Sequence, residues 1–211
     1  MSVYGIDQLK ESMVKITDSK KKTIAGSGFI IRSDGYLITC HHVICHLASL
    51  DVDYQGQEYE AAWCKEYSNP EVDIAILKIN VNDAKAVPII NPHDLSTSIS
   101  VYGFPASKEK NFPDGFDVAA QNIRRSASIN TRSTYRAREI SANNPWNILP
   151  KDESTFRSCR IDTRVDPGTS GGPVFADDLC GVVGIIQCSK SEESYVIRCL
   201  SIRALPIALV K

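Results

Sequence analysis

The sequence lacks long hydrophobic runs, a strong net charge and any paired-cysteine motif. Nowhere in its 211 residues do about 18 apolar residues follow one another, so no segment is predicted to span a membrane. The formal net charge of −1 excludes a global field that would draw the protein to nucleic acid or to an anionic membrane. Charged residues make up 23% and hydrophobic residues 43%, which excludes a disordered chain and permits a continuous core.

The cysteines are odd in number and irregularly spaced, and no C-x-x-C pair occurs among them. The seven are Cys40, Cys45, Cys64, Cys159, Cys180, Cys188 and Cys199. The first residues, MSVYGIDQLKESMVKITDSKKK, lack the basic-then-apolar pattern of a secretory signal. Both features favour reduced, mostly buried thiols. The sequence therefore predicts a cytoplasmic protein.

Short apolar runs rich in Ile and Val, broken by Gly, Pro and Asp, predict many short β-strands. Gly28–Thr39 predicts a hairpin that turns at Asp34-Gly35, because Gly accepts a positive φ. A second hairpin is expected to turn near Gln55-Gly56. The strands fall into two successive groups, as in a sandwich or a pair of barrels.

Helical patterns occur only near the two ends of the sequence. Ile6–Val14 predicts a short helix, and Ala204–Val210 predicts one or two further turns. The Pro- and Asn-bearing stretch 83–96 is interpreted as the connection between the two groups of strands.

The strongest chemical signal is DPGTSGGPVF, which spans Asp166–Phe175. Ser170 has a glycine two residues before it and glycines one and two residues after it. Backbone amides can then converge on an oxyanion beside the hydroxyl, since side chains there would block the tight bend. The predicted donors are the amides of Gly168 and Ser170. The plain alternative is a Gly-rich turn that carries a serine by chance.

Two further motifs offer a general base and its partner. In LITCHHVI the histidines directly follow a predicted strand, where an imidazole can be held rigidly within reach of a nucleophile. Asp73 opens the apolar strand DIAILKI, and a carboxylate there can orient an imidazole and stabilise the imidazolium. Taken alone, Asp73 would more often be a strand-end cap.

The segment HHVICH also has the spacing of a fragment of a zinc site. His42, Cys45 and His46 stand at i, i+3 and i+4. No second His/Cys pair stands out to complete such a site. We therefore predict no metal and no cofactor.

Together these motifs resemble the trypsin-like, chymotrypsin-fold superfamily of serine proteases, and most closely its HtrA/Deg-type protease domain. The counterparts of that family's motifs here are GSGFII from Gly26, GYLITCHHV from Gly35, DIAILKI from Asp73 and IDTRVDPGTSGGPV from Ile161. The resemblance covers about residues 10–208 and identifies His42, rather than His41, as the base. No PDZ domain is expected.

The resemblance implies an all-β fold, a chymotrypsin-like double antiparallel β-barrel with a short C-terminal helix. The first barrel, residues 1–92, would carry His42 and Asp73, and the second, residues 93–211, would carry Ser170 and the oxyanion hole. It also implies a serine endopeptidase that works through a Ser-His-Asp triad and an acyl-enzyme intermediate.

The predicted substrate pocket has two walls. Arg164, six residues before Ser170, stands where the superfamily often lines the pocket, and it either favours acidic side chains or points outward. The opposite wall is expected from Ile185, Ile186, Gln187 and Cys188, which indicates small or hydrophobic side chains.

Control by a partner or by loop ordering is expected. Thr169 stands where digestive relatives have an aspartate that pairs with a newly cut amino terminus, so the resemblance implies loop ordering or a partner as the activating event. The arginines between Arg124 and Arg138 fit a solvated loop or a docking surface for an acidic protein partner, with no nucleic-acid motif among them. The alternative function is a latent protease-fold binding or sensor module, active only within a stress or defence assembly.

Overall fold

A computed structural model of the chain describes residues 6–20, 23–70, 73–90, 99–106, 158–161, 165–176, 179–190 and 193–198. These residues are mainly β-strand. The helical elements that they contain in full are short: α1 (Ile6–Ser12), α2 (His41–Ile44) and the 3-10 helix Lys65–Tyr67. None of the helices in these ranges is long and apolar enough to cross a membrane.

The first sheet consists of seven antiparallel strands: β1 (Met13–Asp18), β2 (Thr23–Ile30), β3 (Tyr36–Cys40), β4 (Leu50–Tyr54), β5 (Gln57–Glu60), β6 (Ala62–Trp63) and β7 (Ile74–Lys78). Their order in the sheet is β5-β4-β1-β2-β3-β7-β6. Strands β3 and β7 therefore lie side by side, which brings the chain after β3 next to the chain before β7.

Both predicted hairpins are confirmed. Strands β2 and β3 pair antiparallel around Asp34-Gly35, where Gly35 has a φ of +95° and a Cβ atom would lie 2.4 Å from the Ile79 carbonyl oxygen. Strands β4 and β5 turn at Gln55 and Gly56, which have φ values of +52° and +78°. Two successive positive φ values match the twist of flanking strands.

The second sheet contains five described strands: β8 (Ile99–Val101), β9 (Ser158–Ile161), β10 (Pro173–Ala176), β11 (Gly181–Lys190) and β12 (Glu193–Arg198). They pair antiparallel in the order β8-β10-β11-β12-β9. The nucleophile motif thus leads directly into β10, which is an interior strand of this sheet.

The amino-terminal prediction is partly wrong, because the helix ends at Ser12 and a strand follows at once. The Ser12 hydroxyl donates to the Leu9 carbonyl (2.7 Å), a local bond that competes with continued helix. Val14 and Ile16 are then both fully buried, two residues apart, which is the period of a strand. The predicted carboxy-terminal helix and the 92/93 barrel boundary lie outside the described residues, so the domain division stays a prediction.

The two sheets share the larger of the two hydrophobic cores. Phe29 and Leu77 of the first sheet belong to the same buried cluster as Phe175, Val182 and Ile185 of the second. A smaller core lies within the second half of the chain and comprises Ile99, Val101, Val165, Val174, Ala176, Val183 and Ile186. The sheets are therefore held together by apolar burial as well as by the hydrogen bonds described next.

Ser27, fully buried in β2, joins the first sheet to two loops of the second half. Its N–H donates to the Ser170 carbonyl (2.8 Å), and its hydroxyl donates to the Gly168 carbonyl (2.7 Å). The same hydroxyl oxygen accepts the Phe104 N–H (2.8 Å). In turn, the Thr39 hydroxyl donates to the Ser27 carbonyl (2.7 Å). One small side chain therefore fixes the nucleophile loop on the first sheet.

Replacing Ser27 with alanine removes the donor to Gly168 and the acceptor for Phe104. Because these backbone groups meet at the joint between the sheets, the variant is expected to lose about 1–3 kcal/mol of unfolding free energy. Urea denaturation measures this loss.

Ser33→Ala is the matched control, because Ser33 is an exposed serine in the loop after β2. It should stay within about 0.5 kcal/mol of the wild type. Equal losses in the two variants would show that Ser27 is not a joint between the sheets.

Candidate active site

Asp73 is a fully buried carboxylate that stands just before β7. Its backbone is left-handed, with a φ of +60°, a conformation that aspartate tolerates better than most residues. The Asp73 N–H donates to the Pro70 carbonyl (3.1 Å), and its carbonyl accepts the His41 N–H (3.0 Å). This tight turn directs the carboxylate toward α2, and strained backbone of this kind concentrates at functional sites.

Three N–H donors satisfy the Asp73 carboxylate. The His42 backbone N–H donates to Oδ1 (2.9 Å). The His42 ring nitrogen Nδ1 lies 2.8 Å from Oδ2, and the Gln187 side-chain Nε2 donates to the same oxygen (3.0 Å). A buried charge is stable only when it is paired and hydrogen-bonded in this way. The N–H donors to the Asp73 carboxylate therefore come from β11 as well as from α2.

His42 is oriented by the elements around it. Strand β3 ends at Cys40 and α2 begins at His41, so the histidine sits where a rigid strand stops. Since a carboxylate only accepts, Nδ1 carries the proton in the contact with Asp73, and Nε2 is the nitrogen with basic character. The predicted base and its predicted carboxylate partner are thus brought into direct contact.

Ser170 follows a turn formed by Asp166–Thr169. The Thr169 N–H donates to the Asp166 carbonyl (3.2 Å), and Gly168 has a φ of +95° at the third position of the turn. That combination, with Pro167 at the second position, is the pattern of a type II turn. Ser170 itself is half-buried, and Gly171 after it has a φ of +86°.

The direction of the Gly168 N–H follows from a bond on the other side of its peptide unit. The Ala106 N–H donates to the Pro167 carbonyl (2.8 Å). In a trans peptide the carbonyl of one residue and the N–H of the next point in opposite directions. The Gly168 N–H therefore points away from Ala106.

Two glycines allow the nucleophile loop to lie against the first sheet. A Cβ atom on Gly26 would lie 2.6 Å from Val43 and 3.0 Å from the Ser170 carbonyl oxygen. A Cβ atom on Gly171 would lie 2.1 Å from the Ser27 carbonyl oxygen and 2.3 Å from the Thr39 hydroxyl oxygen. The Ser170 carbonyl oxygen and the side chain of Val43, the residue after His42, therefore both lie close to Gly26.

The residues predicted for the substrate pocket have different positions. Gln187 is 3% exposed and contacts Asp73, a role for which the sequence offered no signal. Ile185 and Ile186 are fully buried in the larger and the smaller core, respectively. Arg164 lies outside the described residues, and Cys188 is described only as part of β11. The pocket stays a prediction.

Ser27 and Ala106 also orient the site and were missed from sequence. Ser27 stands between the two glycines of GSGFII, and that spacing is the one signal that could have marked it. Ala106 acts through its backbone, so its residue type carries no signal.

The one metal-ligand group of three or more residues in the described part of the chain is Cys40, His42 and Asp73. It differs from the set weighed from sequence, because the Cys45 thiol turns back to the His42 carbonyl (3.6 Å). The helix spacing of His42, Cys45 and His46 therefore does not assemble a site.

The ring of His41, the neighbour of the candidate base, has an apolar contact where the ring of His42 has a carboxylate. Its ring packs against Trp63 (5.3 Å between centroids), and its Nδ1 is buried without a hydrogen-bond partner in the described ranges. Burial lowers the pKa of His41 below its ordinary value of 6.5, and the nearby imidazoles of His42 and His46 lower it further, against an opposing effect of Asp73.

A lowered pKa in the folded state makes His41 a source of acid sensitivity. Below about pH 6.5 the unfolded chain binds this proton and the folded protein resists it, so the His41 contribution to stability is present above that pH and is lost as the pH falls. His41→Phe keeps a ring against Trp63 and removes the titration. The drop in melting temperature between about pH 7.5 and about pH 5.5 should shrink in this variant. Parallel pH profiles for the two proteins would contradict the assignment.

Comparison with known proteins identifies the family. A family model described as a trypsin-like peptidase domain matches residues 26–185. A probable periplasmic serine endoprotease DegP-like from Pseudomonas fulva is 32% identical over 162 residues, which is 76% of this chain and 28% of that protein. The counterpart from Marinomonas sp. is 31% identical over 167 residues, 78% of this chain and 30% of that protein. The chain thus spans less than a third of the length of these relatives.

Solved structures show the same fold. The active form of the Rv3671c protease from M. tuberculosis matches with a TM-score of 0.68 and 21% identity, over 97% of this chain and 83% of that one. The serine endoprotease from Yersinia pestis matches with a TM-score of 0.67 and 20% identity, over 97% of this chain and 65% of that one. The predicted all-β, chymotrypsin-like fold is confirmed.

The predicted cytoplasmic location is wrong by the same comparison, because the curated relatives are named as periplasmic proteins. Cys40, Cys45, Cys64 and Cys180 are not in disulfides, as expected, but reduced cysteines do not report the compartment. A chain of this length buries enough surface to fold without disulfides, so unpaired cysteines are compatible with an oxidising location. The matched family model shows that the chain belongs to the trypsin-like peptidase domain family, and it resembles DegP-like serine endoproteases over about three quarters of its own length.

Proposed function

We propose that the protein cleaves peptide bonds with Ser170 as nucleophile, His42 as general base and Asp73 as the residue that orients the base. The contact that carries this proposal is the 2.8 Å pair between His42 Nδ1 and the buried Asp73 carboxylate. It fixes the ring and its tautomer, and it offers a counter-charge to the imidazolium that forms during reaction.

In the acylation step Ser170 Oγ attacks the carbonyl carbon of the substrate while His42 Nε2 takes the hydroxyl proton. The carbonyl oxygen becomes an oxyanion that accepts the N–H groups of Gly168 and Ser170. The tetrahedral intermediate then collapses, the C–N bond breaks, and His42 returns the proton to the leaving amine. An ester between Ser170 and the acyl part of the substrate remains.

Deacylation repeats these steps with water as the nucleophile. His42 takes a proton from water as its oxygen attacks the ester carbonyl, the same two amides hold the oxyanion, and His42 then protonates Ser170 Oγ. Water is the co-reactant that balances these transfers, and it ends up in the released acid. Proteins or peptides are the substrates.

The bond from Ala106 to the Pro167 carbonyl favours a competent enzyme over a latent module. In a latent site the Pro167 carbonyl would be expected to turn into the position of the oxyanion, and Ala106 would lose its acceptor. The competent orientation supports catalysis by this chain, and control by a partner or by loop ordering would act on this peptide. The names of the relatives support a periplasmic location.

The nucleophile can be tested with a fluorophosphonate probe and intact mass measurement. One label per molecule is expected, and Ser170→Ala should abolish it. Ser33→Ala is the control and should be labelled like the wild type, because Ser33 is an exposed serine of a loop. In peptide hydrolysis, loss of Ser170 or His42 should lower kcat by about 10⁶. Labelling that persists without Ser170 would reject the assigned nucleophile.

The oxyanion hole can be tested at Gly168. A Cβ atom there would lie 2.5 Å from both the Ala106 nitrogen and the Phe104 oxygen, and its φ is +95°. In Gly168→Ala the turn must shift, and the N–H of residue 168 no longer points toward the oxyanion. The kcat should therefore fall by about 10²–10³.

Gly56→Ala is the matched control, since Gly56 has a φ of +78° with no atom within 4 Å of an added Cβ. It shares the backbone strain without the crowding, and its kcat should be unchanged. An equal fall in both variants would assign the effect to backbone strain in general and contradict the assigned donor.

A further inference from the structure

We propose that Cys40, His42 and Asp73 form a binding site for one soft divalent cation, of which Zn²⁺ and Cd²⁺ are representatives, and that the bound cation blocks the candidate triad. The block rests on the proposed function, whereas binding itself does not. The site is distinct from the machinery described above in one residue, the Cys40 thiol, for which catalysis has no use.

The ligand atoms are already close together. The Cys40 sulfur, a His42 ring nitrogen and an Asp73 carboxylate oxygen all lie within 4.8 Å of one another. Tetrahedral Zn²⁺ with bonds of about 2.0–2.3 Å holds its ligand atoms roughly 3.3–3.8 Å apart. The His42 and Asp73 atoms, now 2.8 Å apart, need to separate by roughly half an ångström to admit the cation.

Two acceptors beside the ligands, the Ile186 carbonyl and Asp73 Oδ1, keep a hydrogen bond when the ligand atoms turn to the cation. The Cys40 thiol donates to the Ile186 carbonyl (3.2 Å), but that carbonyl also accepts the Gly171 N–H (2.8 Å) and keeps it when the thiol leaves. Asp73 Oδ1 likewise keeps the His42 backbone N–H. Cation binding therefore replaces contacts that include the thiol bond to the Ile186 carbonyl and the ring contact of His42 with Asp73.

Gln187 provides a second and independent observation. Its side chain is 97% buried (3% exposed), and its amide oxygen Oε1 has no hydrogen-bond partner in the described ranges. Its Nε2 already donates to Oδ2 of the Asp73 carboxylate, which offers a ligand atom to the group. A rotation of the amide would turn the oxygen toward the cation as a fourth ligand, without movement of the backbone.

Charge balance suits the buried position. Cys40 and Asp73 are both fully buried, and as thiolate and carboxylate they carry two negative charges that a divalent cation neutralises. The thiol proton leaves to solvent when the sulfur binds. The thiolate also selects softer cations over Mg²⁺ and Ca²⁺, which prefer oxygen ligands.

Binding at Nδ1 would remove the base. When the cation takes the Nδ1 lone pair of a neutral imidazole, the ring proton resides on Nε2. Nε2 then has no lone pair with which to take the Ser170 proton, and Asp73 no longer orients the ring. Occupancy would thus stop acylation without displacing Ser170 or the oxyanion donors, and chelation would restore it.

Binding is tested by titrating the reduced protein with Cd²⁺ and following the thiolate-to-metal charge-transfer absorbance. The band should saturate at one equivalent in the wild type. Cys40→Ser and Cys40→Ala should weaken binding by about 10–100-fold or more, and circular dichroism shows whether each variant is folded.

Cys45→Ser is the matched control, because this thiol lies on the same short segment but contacts the His42 carbonyl instead of the group. It should retain the band. A band that survives in both Cys40 variants, or that disappears in Cys45→Ser, overturns the site.

Inhibition is tested by fluorophosphonate labelling with and without one equivalent of Zn²⁺. Labelling of the wild type should stop with Zn²⁺ and return with EDTA, and the ratio with and without Zn²⁺ should be near one in Cys40→Ala. If the metal-free wild type is not labelled, the proposed function fails, while the Cd²⁺ band still decides the site. If labelling proceeds in wild type that holds one equivalent of Cd²⁺ with its band saturated, the blocking role is overturned.

Discussion

The buried carboxylate of Asp73 is the constraint on which the rest of the site depends. A charge removed from water at this depth must be met by donors, and a missing donor leaves a large uncompensated energy. Two of its donors belong to His42 in the first half of the chain, and the third is Gln187 on β11. The carboxylate is therefore fully satisfied only when both sheets are packed, which couples the fold to the orientation of the base.

The nucleophile side of the site depends on backbone geometry instead. Positive φ values at Gly168 and Gly171, together with the bond from Ala106 to Pro167, set the directions of the amides. Ser27 ties this loop to the first sheet by its own N–H and by its hydroxyl. One half of the site is therefore built from side-chain charge pairing and the other from peptide orientation, and the joint at Ser27 sets the distance between them.

This division explains what the sequence could predict. The hairpins and the motifs around His42, Asp73 and Ser170 are local patterns, so periodicity, turn residues and resemblance were enough to predict them. The contact of Gln187 with Asp73 joins residues 114 positions apart, and no local pattern reports such a pair. The first two residues of β1, Met13 and Val14, were assigned to the preceding helix, because two residues are too few to separate the helical from the strand period.

The adjacent histidines show how position, rather than residue type, assigns a role. His41 and His42 stand on the same turn, but the His41 N–H donates to the Asp73 carbonyl, whereas the His42 N–H and ring both face the Asp73 carboxylate. The His41 ring packs on Trp63, where burial lowers its pKa and favours the neutral form. The neighbouring ring is thus kept from competing for protons, and the single carboxylate serves only one imidazole. The register of α2 on Asp73 makes that choice, since a shift of one residue would place His41 where His42 now faces the carboxylate.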